Sequence, residues 1–280
     1  MVELDPSGIL DLGSARLEYR MVGSEPSAAP TIALLHEGLG SVGLWRDFPD
    51  RLAAATDMGV FVYSRRGYGE SSPITLPRPV SYMHDEALEV LPKLLDAIGF
   101  KCGLLVGHSD GASIVTIYAG GVQDHRVRGL SLMAPHFTVE DTNIASIAKL
   151  RAEYESGDLR QKLARWHRDP DQAFRGWCET WLAPEFRNWD ILESLSYIRV
   201  PVQIIQGDLD PYGSMRQVEM AQEECYCPVD VTILPGVGHS PHREAPDATL
   251  AAIADFVDHL SAMEGDSWRT RGVALARQAG

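Results

Sequence analysis

The chain has 280 residues, 45% hydrophobic and 23% charged, an ordinary globular composition long enough to bury a core without disulfides or metal staples. Lys and Arg number 25 against 39 Asp and Glu, and the formal charge of −14 repels phosphate backbones, so neither nucleic acid nor an anionic membrane is an expected partner. The first twelve residues lack a basic region followed by an apolar run, and no stretch approaches the roughly 20 apolar residues of a spanning helix; a cytoplasmic protein is expected.

In chain order, residues 8–23 read as an antiparallel hairpin turning near Gly13-Ser14. Short β-rich apolar runs then recur at 31–36 (TIALLH), 60–64 (VFVYS), 102–107 (CGLLVG), 129–134 (GLSLMA), 201–207 (PVQIIQG) and 231–234. Runs of that length without polar alternation suit strands buried on both faces. Between them lie stretches with helical spacing, clearest at 82–98 with Ala87, Leu88, Leu91, Leu94, Leu95 and Ile98. The alternation predicts a mainly parallel sheet with helices on both sides. Residues 138–197 break the rhythm: no strand pattern, high charge, and four of the six Trp in the chain. They read as a helical lobe inserted between two strands. The cysteines at 102, 178, 225 and 227 read as structural or incidental thiols, because the 225/227 pair lacks the partners of a zinc site.

The chemistry centres on Gly107-His108-Ser109-Asp110-Gly111, a G-x-S-x-G match that ends one apolar strand and opens an apolar helix at 112–119. The pattern is weak alone. In a strand–turn–helix context it describes a nucleophile elbow, in which small flanking residues let the chain turn tightly and hold the serine oxygen clear of the sheet. A serine hydroxyl needs a base. His239, in the loop after the 231–234 strand and before an amphipathic helix at 246–260, is placed to serve as one; His242 is a competitor without the glycine that precedes His239. The base needs an orienting acid, and the loop after 202–205 offers Asp208 and Asp210. Asp210 lies in the loop proper and is preferred, with Asp208 left to hold the turn.

These pieces, with His36-Glu37-Gly38-Leu39-Gly40, the stretch from Ser64 to Ser71, Gly207-x-x-Asp210 and Gly238-His239-x-Pro241, make the chain resemble the α/β-hydrolases over nearly its whole length. The resemblance implies an eight-stranded, mostly parallel sheet flanked by helices, with the core at 1–137 and 198–262, a helical cap at 138–197, and a tail or extra helix at 263–280. It implies an oxyanion hole from the N–H groups of Gly38 or Leu39 and of Asp110. Two departures stand out. Glu37 separates the usual His-Gly pair, and is either a contact for a polar substrate group or a solvent-facing acid. Ser64 stands where relatives commonly have Asp.

The resemblance also implies that the inserted segment sets specificity. Candidate substrate contacts are His36, Glu37, Trp45, His136, Phe137, Trp177, Trp181 and Tyr212, which suit a small to medium, partly hydrophobic molecule. The leading expectation is hydrolysis of a carboxylic ester, thioester or lactone through an acyl-enzyme on Ser109, needing no cofactor or metal. Hydrolysis of a carbon–carbon bond in a diketone-like compound uses the same residues. A non-hydrolytic enzyme on this scaffold is a third alternative. No sequence feature fixes an oligomeric state.

Overall fold

A computed structural model describes residues 4–263; residues 264–280 of the expected tail lie outside the described residues. Eight strands form one sheet in the order β1-β2-β4-β3-β5-β6-β7-β8. β1 (Ser7–Asp11) and β2 (Arg16–Val22) make the hairpin, and β2 lies antiparallel to β4 (Gly59–Tyr63). From there β4, β3 (Thr31–Leu35), β5 (Gly103–His108), β6 (Val127–Met133), β7 (Val202–Gly207) and β8 (Val229–Leu234) are parallel neighbours.

The helices fill the crossovers. α1 (Phe48–Thr56), α2 (Tyr82–Asp85), α3 (Leu91–Ala97) and α4 (Asp110–Gly121) fall among the first six strands. α5 (Asp141–Ser156), α6 (Leu159–Leu163), α7 (Pro170–Trp181) and α8 (Leu192–Tyr197) occupy the segment between β6 and β7. α9 (Met215–Glu224) links β7 to β8, and α10 (Pro241–Glu244) and α11 (Pro246–Met263) follow.

The period-two geometry of a strand splits each apolar run between two cores. Ile32, Leu34, Val60, Val62, Leu104 and Val106 face one, packed with Leu52 of α1 and Phe256 and Leu260 of α11. Ala33, Leu35, Phe61, Tyr63 and Leu105 face the other, with Leu91 and Leu94 of α3 and Ile114 and Tyr118 of α4. A fully buried Leu or Ile contributes about 1.5–3 kcal/mol, so any slip of register would be costly on both faces at once.

Between β6 and β7 the helices carry their own start signals. Glu140 and Asn143 form a reciprocal capping box at α5. Asp169 accepts from the Gln172 N–H at 2.9 Å and Pro170 occupies the first turn of α7. Phe174, Trp177 and Trp181 recur at helical spacing on the buried side of α7, and Phe174 stacks on Tyr154 of α5 at 3.8 Å between ring centroids. Other aromatics of this segment pack on one another, with Trp189 stacked on Phe186.

Candidate active site

Every loop that carries a candidate residue leaves the carboxyl end of a parallel strand, where ligand crevices form in open α/β sheets. β5 delivers Ser109 into a backbone conformation of φ 53° and ψ −118°, outside the regions comfortable for a side-chain-bearing residue. Such strain costs about 1–3 kcal/mol and persists only where packing enforces it. The flanking glycines allow that packing. A Cβ at Gly111 would stand 2.1 Å from the Leu35 carbonyl oxygen, and one at Gly107 would meet the Gly111 backbone at 2.4 Å.

His239 closes on the serine from the loop after β8. Its Nε2 lies 2.9 Å from Ser109 Oγ, and its Nδ1 lies 2.8 and 2.9 Å from the two Asp210 oxygens. The loop is gathered by the Glu244 carboxylate, which accepts from the N–H groups of Gly238 (2.7 Å) and Ser240 (2.9 Å). The His239 ring sits between His136, stacked at 5.5 Å, and Tyr212 at 4.7 Å. Asp210 in turn accepts from Gln206 Nε2 at 2.9 Å and the Tyr212 N–H at 2.8 Å. Burial works to raise its pKa, but the hydrogen bonds and the His239 imidazole outweigh that and pull it down to about 2. Asp208 instead accepts from the Gly236 N–H at 2.6 Å and holds the turn. His242 is buried against Trp45 and Phe48 and does not meet the serine.

Beside Ser109 the loop after β3 is braced from below. The wholly buried Arg65 guanidinium donates to the carbonyls of His36 and Glu37, and its backbone N–H donates to His36 Nε2 at 3.1 Å. The other His36 nitrogen donates to the Glu37 carbonyl at 2.6 Å, so its tautomer is fixed. Burial first, and then the Arg65 charge, push the His36 pKa well below the usual histidine range. The loop also carries Gly38, where a Cβ would stand 2.0 Å from Trp177 Nε1. Glycine is required there because an indole from α7 lies directly on the backbone.

A cavity of about 240 Å³ opens over Ser109, and Gly38, Leu39 and Asp110 line it with the serine. Asp110 is the first residue of α4, so its N–H has no intrahelical acceptor. Of the other sequence candidates, Glu37, His136, Trp177, Trp181 and Tyr212 reach the cavity. His36, Trp45 and Phe137, also candidates, are not in its lining. His36 is tied beneath the loop, Trp45 packs on Phe48 in the first core, and Phe137 lies in the second. Sequence reasoning missed Ile147 and Leu150 of α5, Leu163 of α6, and Arg243 of α10. The apolar pair was detectable from its i, i+3 spacing. Nothing in the sequence distinguished Arg243 from other surface arginines.

Residues 32–253 match the model of the alpha/beta hydrolase family. The chain belongs to that family. It is 24% identical to a proline iminopeptidase of Lactobacillus helveticus, across 86% of this chain and 93% of the relative. It is 21% identical to 3-oxoadipate enol-lactonase 1 of Acinetobacter baylyi, across 84% and 91%. Among solved structures, 2-hydroxy-6-oxo-6-phenylhexa-2,4-dienoate hydrolase of Rhodococcus sp. strain RHA1 superposes with a TM-score of 0.74 at 16% identity, covering 89% of this chain and 97% of that one. The last likeness is one of fold.

Within this alpha/beta hydrolase, the departure at Ser64 has a local compensation. Ser64 Oγ donates to Glu18 Oε2 at 2.7 Å and accepts from the Val42 N–H at 2.8 Å, so a carboxylate reaches the spot from β2 instead. Two ties join the segment between β6 and β7 to the site. His167 Nε2 donates to the Leu39 carbonyl at 2.9 Å, and Trp181 Nε1 lies 3.0 Å from Tyr82 Oη and 3.3 Å from Asp110 Oδ1. Among the described residues, no helix is long and apolar enough to cross a membrane.

Proposed function

We propose that this hydrolase transfers the acyl group of a small to medium, partly apolar carboxylic ester, thioester or lactone to water through a covalent intermediate on Ser109. The observation that carries the reading is the unbroken run from Ser109 Oγ through His239 to Asp210, with each contact at 2.8–2.9 Å. In this mechanism Ser109 Oγ attacks the carbonyl carbon while His239 Nε2 takes its proton, and Asp210 stabilises the imidazolium. The N–H of Asp110 and that of Gly38 or Leu39 hold the oxyanion. His239 then protonates the leaving alcohol or thiol, and water, activated by the same nitrogen, releases the acid and restores Ser109. Residues 138–197 act as a cap whose aromatic and aliphatic side chains hold the acyl or leaving group. A cavity of about 240 Å³ suits a compact substrate.

The relatives named above cleave different bonds, so the triad alone does not select the substrate. The iminopeptidase and enol-lactonase names are both compatible with acyl transfer. Rapid quenching during turnover of an activated short-chain ester, followed by peptide mass analysis, tests the proposal. An acyl adduct on the peptide containing Ser109 is expected. Full turnover by Ser109→Ala would overturn it in favour of chemistry without a serine intermediate.

A further inference from the structure

One buried histidine has no part in the acyl transfer above, yet it touches the loop on which that transfer depends. His108, the residue before Ser109, is wholly buried, and its Nε2 lies 2.6 Å from the His239 carbonyl oxygen. A carbonyl can only accept, so Nε2 carries a hydrogen. The other ring nitrogen, Nδ1, is buried without a hydrogen-bond partner and faces Glu37 Oε2 at 3.5 Å. A bare lone pair on the buried nitrogen, aimed at a carboxylate that is 21% exposed, would set two acceptors against each other, whereas one proton between them satisfies both.

We propose that Glu37, at the cavity wall, and the buried His108 share one proton and form an acid–imidazole pair that positions the backbone of His239. The inference rests on the reading of His239 as the base. A donor carrying positive charge makes a shorter and stronger hydrogen bond, which accords with the 2.6 Å contact to the His239 carbonyl. The charged and titratable groups around the pair leave that proton to it. The His242 ring packs 4.9 Å from His108 and the His239 ring 5.2 Å away. Burial keeps His242 neutral, and burial likewise keeps His36 and His136 neutral. His167 meets the neighbouring loop through the Leu39 carbonyl, and Arg65 meets Glu37 through its carbonyl, so neither neutralises the carboxylate by direct contact. Desolvation works to raise the Glu37 pKa; the facing His108 imidazole reverses that and holds it well below the usual range. Glu37 is then neither the solvent-facing acid nor solely the substrate contact that its sequence position allows. His108 is a positioning residue, acting on the reaction through His239.

Nitrogen NMR of histidine-15N-labelled protein tests the pair directly. At pH 7 both His108 ring nitrogens are expected to be protonated, and Glu37→Gln should convert the ring to a single neutral tautomer. A neutral His108 in the unmutated protein would overturn the proposal. In kinetics, His108→Leu should slow capture of Ser109 by a fluorophosphonate about tenfold or more while leaving KM for an ester unchanged. His108→Gln keeps an N–H donor and should recover most of that loss. Equal capture by the parent and a folded His108→Leu would overturn the positioning role. Should His108→Leu not fold, the parent and Glu37→Gln spectra decide. An unlabelled parent enzyme would count against the serine reading alone, and the pair would then stand or fall on those spectra.

Discussion

Asp210 shows how far a single side chain can be argued from its surroundings. Its carboxylate side chain is 1% exposed, accepts from Gln206 and from the backbone of Tyr212, and still presents both oxygens to His239. Asp210→Asn keeps the size and offers an amide where the imidazole N–H needs an acceptor. A fall in kcat on the order of 10⁴ with little change in KM is expected, measured by steady-state kinetics. Because the folded pKa is depressed from 3.8 to about 2, the ionised group stabilises the fold above pH 3.8, by on the order of 2 kcal/mol, and that stability is lost as pH falls through 2. In the sequence, Asp210 and Asp208 were separable because one sits at the strand end and the other within the loop. The partner of Glu37 was not readable, since His108 comes from a different strand and meets it only after the sheet has formed.

At the scale of elements, the turn at Ser109 and α7 are fastened together by a buried carboxylate. Asp110 accepts from Tyr82 Oη at 2.5 Å and faces Trp181 Nε1 at 3.3 Å, with Arg65 Nη2 4.0 Å away. Removing the carboxylate leaves the Tyr82 phenol without its acceptor and the buried Arg65 charge without the nearby Asp110 carboxylate, while Trp181 Nε1 keeps Tyr82 Oη at 3.0 Å. Asp110→Ala should therefore cost about 3–5 kcal/mol in urea unfolding, while Tyr82→Phe, which removes one donor, costs about 1–3. Equal, near-zero effects would mean that water replaces the carboxylate. The apolar stripe of α7 was legible from its spacing, as was the lobe itself from the loss of strand rhythm. What each tryptophan covers was not: Trp177 lies on Gly38 and Trp181 faces Asp110, contacts that only the packing of α7 on the two loops shows. α1 and α9 were passed over; their short buried stripes are interrupted by charged residues that stay at the surface.

The molecule as a whole buries four histidines in neutral form. His36 and His242 are held well below the usual range and His167 below it, in each case chiefly by burial, and His136 is pushed down to about 3 for the same reason. With folded pKa values depressed, the unfolded chain binds more protons as pH drops below 6.5, so stability is full above that point and is lost on acidification. Each group contributes up to about 1.4 kcal/mol per pH unit over its window. Urea midpoints should fall steeply from pH 6.5 to 5, before carboxylates titrate; a flat profile there would mean that these four histidines accept protons without unfolding the chain. Strand–helix alternation made the sheet legible, because buried parallel strands need continuous apolar runs. The two cores and the braces under the loop after β3 came from contacts between residues distant in the chain, which no local pattern encodes.

The most direct measurement of the central claim is the intact mass of the protein after exposure to a fluorophosphonate, with Ser109→Ala and His239→Ala alongside. The account predicts one adduct on the parent protein, none on Ser109→Ala, and capture slowed by several orders of magnitude in His239→Ala. A folded parent protein that stays unmodified even with a phosphonate small enough for a cavity of about 240 Å³ would contradict it, as would an adduct that persists in Ser109→Ala.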